Sequence, residues 1–327
     1  MRISLDSLRP VGQGLSRPES VVALSQGQLY CSDAHGGVMA IAPDGQQRLQ
    51  GTLPGLTPNG IAALPGGRFL AANVGHQGGL WHLSVQGEWA QVDIRLDGQP
   101  LPEVNFVHVD AMGRLWLCIS SAGAPDPVFT PQAQEGFIVL GDDRGFRVVA
   151  RGLGWTNELR VHLDSQRLFV NETFGRRLLE FRIAPDGSLH DRRVLIQFGV
   201  GDYPDGMALD AEGGIWVASI ISNRLYRVLD GRCERVFSDC DPVLVERLEQ
   251  LFTSRGLRRA DLHGLRTGQR INHLSSIAFG GPDMTTLYLG SLGSDCLWSA
   301  NASVAGLVTD IREPTAFLPL NSHDGAS

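Results

Sequence analysis

Apolar and polar residues alternate with a period of two along most of this chain, in runs of about five residues. Each run stops at a cluster of Gly, Asn, Asp or Ser, and the next run is rich in Leu, Trp, Phe or Tyr. PNGIAALPGGRFLAANVGHQGGLWHLSVQG shows the plan: an alternating run, a Pro-Gly-Gly turn, a second run, a loop and a third run. Such a pattern predicts short strands joined by hairpins.

The unit recurs. PESVVALSQGQLYCSDAHGGVMAIAPDGQ precedes it, and VNFVHVDAMGRLWLCISS, TNELRVHLDSQRLFVNETFGRRLLEFRIAPDG, PDGMALDAEGGIWVASIISNRLYRVLDG and LSSIAFGGPDMTTLYLGSLGSDCLWSA follow. Equivalent positions fall at Glu19, Asn59, Asn105, Asn157, Asp205 and Ser275, with gaps of 40, 46, 52, 48 and 70 residues. Six such units predict an all-β protein, a six-bladed β-propeller occupying residues 1–327 as a single domain. One blade is too thin to bury its own faces, so the blades pack side by side around a channel. The two chain ends are expected to complete one blade together, with SDCLWSANASVAGLVTDIREPTAFL supplying candidate strands.

Two insertions break the rhythm. SSAGAPDPVFTPQAQE, at 120–135, reads as a Pro- and Gly-containing loop. The second, at 238–270, lies between blades 5 and 6 and reads as a short helix. Asp241 is its N-cap and Pro242 its first residue. Leu244, Leu248, Leu251 and Phe252 share one face, and Gly256 follows its end. This helix is either a side cover on a blade edge or a lid over one channel mouth.

Composition supports this picture. The 40 glycines and 17 prolines suit a turn-rich fold, and 43% hydrophobic residues fill a sizeable core. A net charge of -7 argues against nucleic acid or an anionic membrane as partner. The start MRISLDSLRPVGQG has no apolar signal core, so a cytoplasmic protein acting on a small molecule is expected. Cys31, Cys118, Cys233, Cys240 and Cys296 are scattered without a C-x-x-C pair and read as buried free thiols. There is no G-x-S-x-G, H-E-x-x-H, P-loop or dinucleotide fingerprint.

Candidate chemistry comes from the equivalent positions. In a propeller they face the axis at one mouth. There Glu19, Asn59, Asn105, Asn157, Asp205 and Ser275 or Ser276 place two carboxylates among amide and hydroxyl oxygens. Such a set suits one divalent ion: calcium, magnesium or manganese by its hard oxygens, with zinc a fourth candidate although no histidine falls in the ring. A blander account makes Pro-Asn-Gly and Pro-Asp-Gly mere turns with capping side chains, but it does not explain Glu19. Asp33, Asn73, Ser120, Glu172, Ser219 and Ser291 end the second strands and are expected to line the same mouth. His35 and His76, in matching loops, are candidate substrate contacts. His273, two residues before the sixth position, is a candidate proton donor or shuttle. His108 and His162 read as packed between blades, and Trp81, Trp116, Trp216 and Trp298 as core.

RPESVVAL around Glu19, WTNELRVHLDSQRLFVNETFGRRLLEFRIAPDG around Asn157 and PDGMALDAEGGIWVA around Asp205 together resemble the SMP-30/gluconolactonase/LRE-like family. The resemblance covers nearly all of the chain. It implies a propeller lactonase with one divalent ion on Glu19, Asn157 and Asp205, the last also activating water. Asn105 would then contact substrate or the attacking water. The chain departs from the family where Glu103-Val104-Asn105-Phe106 stands in place of R-x-N-D. The departure implies a more apolar or cation-tolerant pocket, with Glu103, Asn105, Phe106 and Asn59 as substrate contacts, and puts aldonolactones in question. Asn157-Glu158 replaces the commoner Asn-Gly, with Glu158 either supporting the ion site or lying in a turn or on the surface. Metal-dependent hydrolysis of a lactone or cyclic ester is the expected activity. The alternatives are a ring-opening, isomerising or hydrolytic enzyme on a non-sugar ester or phosphotriester, and a metal-stabilised binding propeller.

Overall fold

The computed structural model describes residues 2–121, 127–162, 164, 166–262, 264–308 and 311–321. Six antiparallel sheets form the blades of a propeller. Their inner strands are Val21–Ala23, Pro58–Leu64, Phe106–Val109, Thr156–His162, Pro204–Leu209 and Leu274–Gly280. From each inner strand the chain steps outward, hairpin by hairpin, before crossing to the next blade. The end where the inner strands begin is the upper mouth.

Both termini fasten the ring. Arg9–Val11 pairs with Leu297–Asn301 and becomes the outermost strand of blade 6. Beyond Asn301 the described residues of the C-terminal stretch supply no further strand to that blade. Ala305 and Thr315 instead bond the backbones of Ala211 and Gly113 at the opposite end from the upper mouth. Leu320–Asn321 then adds an edge strand to blade 2. No helix among the described residues is long and apolar enough to cross a membrane.

Apolar faces meet between blades. Trp216 lies edge-on to Phe279 between blades 5 and 6, with ring centroids 5.4 Å apart. Phe106, Leu140, Leu168 and Phe181 join blades 3 and 4, while Val38, Phe69 and Trp81 join blades 1 and 2. Trp298 differs from Trp81, Trp116 and Trp216: it is half-buried at the cluster margin. The cysteines also divide. Cys31, Cys118 and Cys296 are buried, Cys240 is half-buried, and Cys233 is exposed because it lies on an outermost strand.

The related motifs VDAMGRLW and LDAEGGIW fold into the same staple. Asp110 accepts the Trp116 indole N–H at 2.9 Å and Arg114 Nε at 2.7 Å. Asp210 accepts the Trp216 indole at 2.8 Å and Arg227 Nε at 2.7 Å. Each carboxylate thus satisfies a buried indole and caps its hairpin.

Pro-Asn-Gly and Pro-Asp-Gly are not turns. Both open inner strands, with register shifts at Pro58/Ile61 and Pro204/Met207. Their glycines permit close blade approach: a Cβ on Gly206 would lie 2.2 Å from the Ser275 carbonyl oxygen, and one on Gly60 2.5 Å from the Phe106 ring. Gly206→Ala is therefore expected to cost about 1–3 kcal/mol in urea unfolding, because backbone rather than a flexible side chain must yield. A neutral result would show that blades 5 and 6 separate freely.

The 238–270 insertion contains helix α1, Pro242–Ser254, and the short helix α2, Arg259–Leu262. Asp241 caps α1 by accepting from Val243 and Leu244, and Gly256 follows at φ 78°. Leu248 and Phe252 are buried with Phe129, Phe174 and Tyr203, while Leu244 and Leu251 pack at the rim. The described part of the 120–135 loop meets it: Phe129 and Leu257 exchange backbone hydrogen bonds of 2.8 and 2.9 Å.

Candidate active site

Adjacent inner strands bring the predicted oxygens together at the upper mouth. Asn59 Nδ2 donates to Glu19 Oε1 at 2.7 Å and to the Asn105 carbonyl at 2.9 Å. Ser275 Oγ donates to the Glu19 carbonyl at 3.0 Å, linking blades 6 and 1. Asn171 Nδ2 donates to the Asp205 carbonyl at 2.9 Å, linking blades 4 and 5. The hydroxyl of Thr173 donates to the Pro204 carbonyl at 2.8 Å, so it accepts from Asn157 Nδ2 at 3.0 Å. That chain fixes the amide of Asn157 with its nitrogen toward Thr173 and its oxygen available.

Three oxygens at the ring positions have no hydrogen-bond partner, Glu19 Oε2, Asn157 Oδ1 and Asp205 Oδ2, and Asn171 Oδ1, one strand out beside Asp205, is a fourth. All three ring residues are buried, Asp205 at 1% exposure. Arg17 Nη1 lies 3.1 Å from Glu19 Oε2, an ion-pair distance without hydrogen-bond geometry. Buried oxygens without hydrogen bonds are costly, and these three, from blades 1, 4 and 5, offer a set of donors for a hard cation at the mouth. Among the described residues no three His, Cys, Asp or Glu side chains cluster as metal ligands. The set depends on an asparagine.

The electrostatics agree. Burial raises the Glu19 carboxyl to about 7, opposed by Arg17 and reinforced by Glu158. Burial, then Glu19 and Glu158, push Asp205 well above the usual carboxylate range. Burial is the larger cause at both and mutual repulsion the smaller, so a cation among these oxygens would favour the charged forms. Glu158 is neither in a turn nor on the surface. It accepts from Met207 N at 3.2 Å and pairs with Arg160 at 2.9 Å.

The other candidates separate. Asn105 is half-buried in the ring. Phe106 is buried beside it, with the Arg160 guanidinium 4.8 Å from its ring centroid. Glu103 pairs with Arg259 of α2 at 3.0 Å, so its charge is balanced within the protein. His273 has a left-handed φ of 62°, and its Nε2 lies 3.2 Å from the Leu265 carbonyl in the insertion. Burial lowers its pKa. His35 is exposed, with Nδ1 2.7 Å from Asp33 Oδ1, and His76 is exposed in its loop.

One expectation changes and another gains detail. Asp33, Asn73, Ser120, Glu172, Ser219 and Ser291 are buried, and each ties down the chain entering an inner strand. Asp33 accepts from Ser16 N, Asn73 from Thr57 N, Glu172 from Gly154 N and Ser219 from Tyr203 N. Ser120 and Ser291 donate to the carbonyls of Thr156 and Asn272. His108 and His162 are not packed between blades. They line an axial cavity of about 260 Å³, together with Ser20, Phe106 and Arg160. That cavity does not include the unpaired oxygens, so the two features are distinct.

Sequence reasoning missed Arg17, Thr173 and Arg176. Arg17 Nη2 donates to Asn59 Oδ1 at 2.7 Å. Arg176 lies over Tyr203 and Phe252 and pairs with Glu249 of α1, docking the insertion. Only Arg17 carried a signal, as a cation two residues before a ring carboxylate.

A six-bladed propeller with this oxygen ring at its mouth defines the class. Residues 17–235 match the SMP-30/Gluconolactonase/LRE-like region, and the chain belongs to that family. An uncharacterised protein of Sulfolobus acidocaldarius is 32% identical over 116 residues, 35% of this chain and 40% of that relative. This match therefore spans less than half of the relative's length. A gluconolactonase from Xanthomonas campestris superposes with a TM-score of 0.65 at 20% identity, over 92% of this chain and 89% of that one. A calcium-binding regucalcin from Agrobacterium tumefaciens gives 0.65 at 15% identity, over 95% of each chain. At these identities the two structures speak for the fold.

Proposed function

We propose that this protein is a divalent-ion-dependent hydrolase that opens a lactone or related cyclic ester. The observation that carries this reading is the convergence of three unpartnered buried oxygens, on Glu19, Asn157 and Asp205, at one mouth. These residues would hold the ion, and their hard oxygens suit calcium, magnesium or manganese. When bound, the ion supplies Lewis-acid polarisation of the ester carbonyl and neutralises developing negative charge. The family membership and the gluconolactonase neighbour support the same reaction class.

The chain's own residues do the rest. Asp205 takes a proton from the attacking water as the water oxygen bonds to the carbonyl carbon. The ring C–O bond breaks, and the proton passes to the departing alkoxide. Asn105, with its backbone fixed by Asn59, orients the substrate. His273 holds the insertion through Leu265 beside the mouth, and Arg259–Glu103 spans from insertion to blade 3. The insertion thereby acts as a roof that limits water.

A lactone panel followed by pH-stat tests this reading. Chelation is expected to lower turnover on the order of 10²-fold, with recovery on adding back calcium, magnesium or manganese. Chelator-insensitive turnover, or none on any lactone despite ion binding, would overturn it. Ion binding without turnover would leave a binding propeller.

A further inference from the structure

We infer that Arg17 selects substrates carrying a carboxylate near the scissile ester. This inference rests on the hydrolase reading and names its substrate class. Arg17 reaches the ring from the loop leading into blade 1. Its guanidinium lies 2.7 Å from Asn59 Oδ1 and 3.1 Å from Glu19 Oε2, and its side chain is 27% exposed. It thus bonds ring residues and is still partly exposed. Its backbone sits at φ 51°, in the left-handed region that non-glycine residues adopt only where their surroundings hold them. Contacts with two ring residues hold it there.

Two guanidiniums sit against the carboxyls here, Arg160 on Glu158 at 2.9 Å and Arg17 on Glu19 at 3.1 Å. An ion held by Glu19 would compete with Arg17 for the same carboxylate, whereas Arg160 would keep its partner. Glu103, the acidic residue nearest in sequence to Asn105, is balanced by Arg259. Once a cation shares the charge of Glu19, the Arg17 guanidinium is freed in part from its ion pair. A planar fork with five N–H donors then matches a substrate carboxylate better than a hydroxyl.

Two opposed effects are expected from Arg17→Gln. Calorimetry should show calcium binding tightened by about threefold to tenfold, because a competing cation has left Glu19. Hydrolysis of a carboxylate-bearing lactone should lose about 10–100-fold in kcat/KM, mainly through KM. Its methyl ester should change by less than about threefold, and Arg17→Lys should recover part of the loss. A merely structural Arg17 would weaken calcium binding and lower both substrates together, and that result overturns the inference. Binding of the open-chain diacid product to the calcium-loaded protein, measured by calorimetry, reads Arg17 without turnover. Absent turnover with Arg17-dependent diacid binding sinks the hydrolase reading alone. Diacid binding unaffected by Arg17→Gln sinks the inference alone.

Discussion

Asp205→Ala is expected to lower ester hydrolysis by about 10³-fold and to abolish ion binding measured by calorimetry. Two roles meet in this side chain. Its Oδ2 is one of the three unpartnered ring oxygens, and it is the most deeply buried carboxylate of the ring. Asp205→Asn separates charge from shape, since it keeps an oxygen but removes the proton acceptor. That variant should retain weak ion binding and still lose most turnover. It should also stabilise the chelator-treated protein by about 1 kcal/mol or more, because a desolvated charge near Glu19 and Glu158 disappears. Thermal melting in chelator measures this. Ion-dependent turnover retained by Asp205→Ala would refute the assignment; an unchanged melting temperature for Asp205→Asn would show that the ring carboxylates do not repel one another.

The blades and ring positions were legible because both come from short-range rules. Period-two runs and glycine turns set the strands, and VDAMGRLW and LDAEGGIW repeat because each blade needs its indole satisfied. Inner strands that begin at equivalent points must place Glu19, Asn157 and Asp205 at one mouth. What was hidden depends on partners far apart in the chain. Glu103 read as an acid in the pocket until Arg259, 156 residues on, was found beside it. A turn was the competing account of Pro-Asp-Gly, because its local chemistry favours one. Close approach of blade 6, a tertiary constraint, explains Gly206 instead. The second-strand polar residues read only as candidates to line the mouth, because their bonds to the chain entering each inner strand join distant positions. Arg17 was overlooked because its role requires Asn59, in another blade, to accept from it.

Phe252→Ala tests whether the insertion is a roof or part of the core. Phe252 is 2% exposed and packs on Tyr203 and Phe174, with centroids 5.2 and 6.0 Å away. The Arg176 guanidinium lies 4.4 Å from its ring centroid. Removing the ring should cost about 3–5 kcal/mol of packing. That cost falls on a cluster outside the inter-blade cores, since Phe252 shares its neighbours with Leu248, Leu257 and Phe129. The expected result is local: the insertion opens while the blades stay folded. Limited proteolysis should then cut within 238–270, and the main thermal transition should stay near that of the parent. Tyr203, which packs on Phe252, directly precedes the strand bearing Asp205, so kcat/KM should fall about tenfold, chiefly through KM. A lowered global transition without new cleavage would make the insertion a structural element of the propeller. Unchanged kinetics with a cleaved insertion would make it a side cover, distant in its effects from the mouth that Arg259 and Glu103 span.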